Sequence, residues 1–356
     1  MYKLEGILKE TVGRGGSDLH LCSQSPAIIR VFGKLQKLDS KVITSEEAES
    51  MISEILTEDQ KNELALRKNI DFAFEIDYGG NSQRFRCNVY FQKYGINGVF
   101  RVIPSQIPGL AQLLLPAQLE QFAYCSEGLI LITGSAGSGK STTMAAILDI
   151  INSRQKLHII TIEDPIEYVH PIKQCLVNQR QVGLHTKSFT SALKAAIRED
   201  PDIIVVGEMR DTETVQLAIA AAETGHCVFG TMHTTGAIRT IDRIIDSFPV
   251  DQQQQIRTLL AETLRGVIGL QLLSRTDGWG MIPAVEIMIG NNAISNIIRE
   301  GRTHQIHSVI QTGKATGMQL MDDDIHRLLR ETKISPETAY ERAMDKKLFE
   351  AFLKNH

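Results

Sequence analysis

Gly128-Leu-Ile-Leu-Ile-Thr133-Gly134-Ser-Ala-Gly-Ser-Gly-Lys140-Ser141-Thr142 is the stretch on which the fold turns. Its first part is a short, nearly unbroken apolar run, the pattern of a strand buried on both faces. The run empties into a full match to G-x-x-x-x-G-K-[ST], and a helix is expected over 141–151. Gly134, Gly137 and Gly139 allow a loop whose backbone N–H groups point inward. Ser135, Ala136 and Ser138 supply further backbone to that cradle, and the helix adds its positive dipole end. Lys140 is placed to reach β- and γ-phosphates, the Ser141 hydroxyl to bind Mg²⁺, and Thr142 is counted with them among the nucleotide-binding residues. The ligand implied is a nucleoside triphosphate, ATP, with Mg²⁺.

Working outward, similar apolar runs recur at 157–162, 203–206 and 227–232, separated by helical patterns such as 188–198. Strand–helix alternation of this kind predicts a parallel sheet in an α/β domain. From residue 237 onward the chain reads as almost wholly helical. Upstream, residues 1–103 read as a small α+β unit. Strands are expected at 18–21, 27–32, 70–76, 84–91 and 98–103, with a turn at Tyr78-Gly-Gly-Asn81. Thr44 with Glu47 forms a capping box for a helix reaching about residue 56, and Thr57 with Gln60 starts another. Pro104, Pro108, Gly109 and Pro116 interrupt both helix and strand, so 104–116 is read as a linker and 117–356 as the second domain.

Composition narrows the function classes. The 356 residues are 42% hydrophobic and 22% charged, with a net charge of −4, the balance of a soluble globular protein. No basic stripe is present, which argues against nucleic acid as a partner. The five cysteines (Cys22, Cys87, Cys125, Cys175, Cys227) contain no C-x-x-C pair and suit a reducing cytoplasm rather than a zinc ribbon or disulfide framework. The N-terminus has no apolar core of a signal peptide, and no apolar run approaches the roughly 18 residues of a membrane span. Direct membrane insertion is therefore not expected.

Two further strands end in acids. Leu157-His-Ile-Ile-Thr-Ile-Glu163-Asp164 and Asp202-Ile-Ile-Val-Val-Gly-Glu208 place Glu163 and Glu208 at carboxyl ends, which in a parallel sheet face the ligand crevice. With Lys140 they should converge on one side of the sheet, one carboxylate organising Mg²⁺ and its waters and the other orienting the attacking water. His226 and His233 flank the run 227–232, too far apart for a joint metal site. Each reads either as a structural strand-end residue or as a residue that senses the γ-phosphate or relays its state to an interface. Arg84, Arg86 and Arg101 lie on strand-like segments of the first domain. On sequence alone they are solvated-face residues.

Taken together, these residues resemble the PilT family of type IV pilus retraction (twitching motility) ATPases, within the secretion ATPase superfamily. The matching blocks are the phosphate loop 134–141, Ile162-Glu-Asp-Pro-Ile-Glu-Tyr-Val-His170, Arg198-Glu-Asp-Pro-Asp-Ile-Ile-Val-Val-Gly-Glu-Met-Arg-Asp211, and Thr224-Gly-His-Cys-Val-Phe-Gly-Thr-Met-His-Thr234. Outside that core, Ser17-Asp-Leu-His-Leu21, Arg84-Phe-Arg-Cys-Asn88 and Ala293-Ile-Ser-Asn-Ile-Ile-Arg-Glu300 also match. The resemblance implies a PAS-like N-terminal domain, a RecA-like P-loop ATPase domain and a helical C-terminal region. It implies Glu163 as general base and Glu208 as the Walker-B acid, linked to Mg²⁺ through water. His226 and His233 would couple nucleotide state to subunit movement, and arginines of the Arg84/Arg86 strand would contact phosphate, on the same or a neighbouring subunit.

The partners it implies are a homohexamer, an inner-membrane pilus platform protein and a second retraction ATPase, in a cytoplasmic protein peripheral to the inner membrane. Two departures stand out. Ser135-Ala136 replace the family's usual Pro-Thr, and Ser295 replaces its usual Arg. The other readings are a pilus assembly or type II secretion ATPase, an auxiliary retraction paralogue serving as a nucleotide-responsive scaffold, and a nucleic-acid motor. Assembly ATPases usually carry a longer N-terminal region and a four-cysteine metal site, which this sequence lacks.

Overall fold

Six strand segments in the first hundred or so residues, most of them burying one face, produce the first sheet. The computed structural model describes residues 3–31, 33–38, 41–104, 106–278 and 280–353, and the chain divides into two units, Met1–Gln106 and Ile107–His356. Phe32, the last residue of the expected strand 27–32, and Ser105, within the expected linker, lie outside the described residues. In the first unit, α1 (Lys3–Gly13), α2 (Ser45–Ser53) and α3 (Glu58–Arg67) accompany strands β1 (Asp18–Cys22), β2 (Ile28–Val31), β3 (Lys34–Lys37), β4 (Asn69–Tyr78), β5 (Asn81–Gln92) and β6 (Gly95–Ile103). The strands form an antiparallel sheet in the order β3-β2-β1-β6-β5-β4. Leu4, Leu8, Leu19, Leu21, Ile52, Phe85 and Phe100 fill its core.

Local chemistry explains these elements. Both expected capping boxes are formed, Thr44 with Glu47 and Thr57 with Gln60, each satisfying two backbone donors at a helix start. The β4–β5 hairpin closes through Gly79 and Gly80 at φ +64° and +81°, the mirror-image turn that matches strand twist. Helix α1 and strand β3 were not expected. The i, i+4, i+7 burial of Leu4, Leu8 and Thr11 is the signal for α1.

The second unit opens with a 3₁₀ helix, Ala117–Tyr124, and then alternates. Its strands are β7 (Gly128–Thr133), β8 (His158–Glu163), β9 (Leu176–Gln181), β10 (Ile203–Val206), β11 (Cys227–Met232), β12 (Leu264–Ser274) and β13 (Met281–Ile289). Its helices are α4 (Lys140–Arg154), α5 (Phe189–Ala196), α6 (Thr212–Glu223), α7 (Ala237–Asp246), α8 (Val250–Thr263), α9 (Asn292–Arg299), α10 (Ile306–Thr312), α11 (Met321–Arg330), α12 (Pro336–Arg342) and α13 (Glu350–Leu353). The sheet order is β13-β12-β7-β11-β10-β8-β9, parallel except for β13, which runs antiparallel to β12. One apolar cluster packs α5 to α9 on one face of this sheet, and another packs α4 and the 3₁₀ helix on the other.

The expectation of an almost wholly helical chain after residue 237 is corrected here: β12 and β13 are long strands. Arg265, Gly266, Gly269, Pro283 and Glu286 disguise them, because such residues are depleted in strands. Each glycine answers a packing demand. A Cβ at Gly266 would come within 2.2 Å of the Phe122 ring, and one at Gly269 within 3.2 Å of the Glu286 Cβ. Pro283 is tolerated because β13 is the outermost strand, where a missing N–H interrupts no second ladder.

Candidate active site

Every residue of β7 is buried, and the strand delivers the chain to Gly134 at one end of the sheet. Gly134 has φ +150°, and a Cβ there would lie 2.4 Å from Ser138 Oγ and 2.5 Å from the Leu270 carbonyl oxygen. Only glycine lets the loop fold back so tightly. Gly139, at φ +92°, is the N-cap of α4 and brings no side-chain acceptor to its first turn. The leading amides of α4 are left to an anion, with the helix dipole behind them.

Lys140 is 8% exposed and donates from Nζ to the carbonyls of Gly134 and Ser135, both at 2.9 Å. Burial pushes its pKa down, against the opposing pull of Glu208 and Glu167. Its Nζ also lies 3.4 Å from His233 Nδ1, while His233 Nε2 lies 3.0 Å from Glu208 Oε1. With an ammonium, which only donates, facing Nδ1 and a carboxylate facing Nε2, the imidazole is suited to carry its proton on Nε2. Arg210 Nε closes the chain by donating to the same Glu208 oxygen. Lysine, histidine, glutamate and arginine thus form one relay across the carboxyl ends of β7, β11 and β10.

Glu163, the last residue of β8, stands beside this relay. Its Oε1 accepts from Thr161 Oγ1 at 2.6 Å and from Gln179 Nε2 at 3.0 Å. Burial pushes its carboxyl pKa up, more than those two donors pull it down. Glu163 and Ser141 line one cavity of about 40 Å³ together with Thr161, Glu167, Tyr168 and Gly207. That exceeds the roughly 10–15 Å³ needed to hold one water. Thr142 Oγ1 pairs with the Tyr168 hydroxyl at 3.0 Å, tying the first turn of α4 to the segment after β8.

Lys140, Ser141, Glu163, Glu208 and His233 are therefore brought to one end of the sheet. His226 is not. It precedes Cys227, which pairs with Gly128 at the opposite end of β7, and its Nδ1 faces the Ala221 carbonyl at 3.0 Å. The length of β11 therefore separates His226 from the phosphate loop of the same chain, which leaves it the interface role rather than direct contact with that loop's phosphate. Arg84 and Arg86 lie on β5 of the first unit. Arg86 is exposed and sits directly opposite Arg101, while Arg84 Nε lies 3.5 Å from Glu75 Oε1. Like charges directly opposed across a sheet are unfavourable without an anion between them. Arg101 pairs with Asp18 at 2.9 Å; Arg86 has no ion pair among the described residues.

Thr161, Gln179, Tyr168 and Arg210 join the site although sequence reasoning gave them no role. Gln179 lies on β9, whose Leu-Val-Asn-Gln-Arg-Gln pattern is too polar to stand out as a strand. Thr161 does carry a signal, as a lone polar residue inside an apolar run two positions before the acid.

A family model described as type II/IV secretion system protein matches residues 2–354. This chain belongs to that family. It is 46% identical over 318 residues to a twitching motility protein of Neisseria gonorrhoeae, covering 89% of this chain and 84% of the relative. It is 44% identical over 337 residues to the type IV pilus retraction ATPase PilT of Pseudomonas aeruginosa, covering 95% and 97%. The crystal structure of the pilus retraction motor PilT with bound ADP superposes with a TM-score of 0.90 at 43% identity, over 98% of this chain and 99% of that one. The family resemblance drawn from the motif blocks holds over nearly the whole length, as does the fold it implied, a PAS-like unit followed by a RecA-like ATPase unit with a helical C-terminal region.

Proposed function

We propose that this protein is a motor that hydrolyses ATP to drive type IV pilus retraction, working as a ring of six copies. The observation that carries the reading is the convergence of Lys140, Ser141, Glu163, Glu208 and His233 at one end of the sheet, with Glu163 and Ser141 on a shared cavity. Amides of the 134–141 loop cradle the triphosphate. Lys140 exchanges the Gly134 and Ser135 carbonyls for phosphate oxygens. Glu163 takes a proton from a water in its cavity, the water oxygen attacks the γ-phosphorus, and the bond to the β-bridging oxygen breaks to leave ADP and phosphate. A carboxylate made more basic by burial suits that step.

The donor set fits magnesium. Ser141 offers a hydroxyl and Glu208 a carboxylate, both hard oxygen donors, and the described residues contain no cluster of three or more His, Cys, Asp or Glu side chains that would form an all-protein cage. Magnesium is commonly held in this way, by one or two protein oxygens, waters and substrate phosphates. When bound, it neutralises charge on the β- and γ-phosphate oxygens. Ser141 would hold it directly and Glu208 through water.

His233 touches both Lys140 and Glu208 and so reports phosphate occupancy to the segment that follows β11. Arg84 and Arg86 serve a neighbouring copy's phosphates, which gives Arg86 the anion that Asp18 already supplies to Arg101. In the cell this reading places the protein in the cytoplasm against an inner-membrane pilus platform protein, with a second retraction ATPase as a further partner. No helix among the described residues is long and apolar enough to cross a membrane. Complementation of a strain lacking its retraction motor tests the proposal, scored by surface pili and twitching. Rescue supports retraction; failure with undiminished ATP turnover in vitro points to an assembly ATPase or an auxiliary role.

A further inference from the structure

Glu286, on β13, is a carboxylate that the chemistry above does not use. It is 9% exposed, and its Oε1 accepts from the Ala237 amide at 2.6 Å. The Met321 amide faces the same carboxylate, and the two residues line one small cavity with Thr235 and Gly236. Ala237 and Met321 are the first residues of α7 and α11, and neither helix has a side-chain cap from its own N-cap residue, Gly236 or Leu320. One buried acid thus caps α7 and faces the uncapped start of α11, from outside both helices.

Room for it is made deliberately. A Cβ at Gly236 would stand 3.0 Å from Glu286 Oε1, and one at Gly269 would stand 3.2 Å from Glu286 Cβ. The sheet also sets its height. Met232 pairs with Thr133, Thr133 with Gly269, and Gly269 with Glu286. Glu286 is therefore level with the residue before the phosphate loop and the residue before His233.

Between His233 and the amide that Glu286 holds runs only the strap Thr234-Thr235-Gly236. That strap is bound to α7 by Thr234 Oγ1 to Thr240 Oγ1 at 2.7 Å and by Thr240 Oγ1 to the Gly236 carbonyl at 2.7 Å. A shift of His233, driven by new partners for Lys140 and Glu208, has a short and stiff route to the start of α7. From there Glu286 is the side chain that faces the start of α11.

We infer that Glu286 is a positioning residue that anchors the His233 strap and passes the state of the nucleotide site to α11 in the C-terminal helical region. The inference rests on the reading of the 134–141 loop as a nucleotide site. Two substitutions cut the link differently. Glu286→Gln turns an amide donor toward one of the two N–H groups that face the carboxylate. Met321→Pro removes one of those N–H groups while leaving Glu286 and Ala237 paired. Proline is tolerated at a first helical position, and Leu320 already has the extended φ −78° and ψ 150° a residue before proline requires.

The test is hydrogen exchange of peptides covering 321–330, with and without ADP, beside the affinity for a fluorescent ADP and steady-state ATP turnover. In the wild type, ADP slows exchange in α11. In both variants that difference vanishes, kcat falls about tenfold, and KM and ADP affinity stay within about threefold, the pattern of lost positioning rather than lost binding. An α11 that ignores ADP in the wild type, or still responds in a folded variant, overturns the inference. Failure of the wild type to bind ADP at all overturns the nucleotide reading and this inference with it.

Discussion

Replacing Gly207 by alanine probes the placement of Glu163 without removing any group that binds or reacts. A Cβ on residue 207 would lie 2.9 Å from the Ile162 carbonyl oxygen and 3.2 Å from the Glu163 Cα. Both neighbours are backbone, and Gly207 N donates to that same carbonyl at 2.7 Å, so no flexible side chain can absorb the clash. Ordinary contact begins near 3.4 Å, so the end of β8 must retreat by about half an ångström. Overpacking of this kind costs about 1–3 kcal/mol of stability. In a unit of this size that lowers Tm by roughly 2–10 °C. A 1 Å misplacement of catalytic geometry costs on the order of 100-fold in rate, so half that displacement predicts a loss of about tenfold in kcat. The KM for ATP should hold, because the phosphate loop is not displaced. Phosphate release measured against ATP concentration, beside a thermal melt, checks both parts. A variant with wild-type kcat and an unchanged Tm would refute the claim that Gly207 sets the position of the base.

Lys140→Ala removes the cation at the loop mouth, and turnover should fall by more than about 100-fold with the fold intact by circular dichroism. Glu163→Gln should bind ATP yet stall, as single-turnover assays would show. Because burial raises the Glu163 pKa above its ordinary 4.5, wild-type turnover should drop as pH falls through the raised value and protonates the base. The same shift means that the folded state holds this proton more tightly than the unfolded chain. Wild-type stability contributed by the group is lost as pH rises through that window, and Glu163→Gln should melt progressively higher than wild type across it. Ser295→Arg removes the bond from Ser295 Oγ to the Ala261 carbonyl at 2.6 Å, costing about 1 kcal/mol, while ATP turnover stays unchanged. A change in pilus retraction scored alongside would place α9 downstream of the chemistry.

Much of this was legible because local and global demands coincide. The phosphate loop, the apolar runs of β7, β8, β10 and β11, and the Gly79-Gly80 hairpin each need particular residues for reasons confined to a few neighbours in the chain. Strands β12 and β13 were hidden for the opposite reason. Gly266 exists for the Phe122 ring and Gly269 for Glu286, partners distant in sequence whose demands overrode strand propensity. The acids of the site were legible as strand ends. Their supports were not, since Gln179 reaches Glu163 from an edge strand and Arg210 reaches Glu208 from a loop. The two histidines looked alike in sequence, and only strand direction separates His233, beside Lys140, from His226 at the far end of β11.

The central claim is that one triphosphate is gripped by the residues gathered at this sheet end. Crystals of Glu163→Gln grown with ATP and magnesium test it most directly. The account predicts Lys140 Nζ on β- and γ-phosphate oxygens in place of the Gly134 and Ser135 carbonyls, Ser141 Oγ on the metal, and a water between residue 163 and the γ-phosphorus. Nucleotide bound with residue 163 or Glu208 facing away from the γ-phosphate would contradict it.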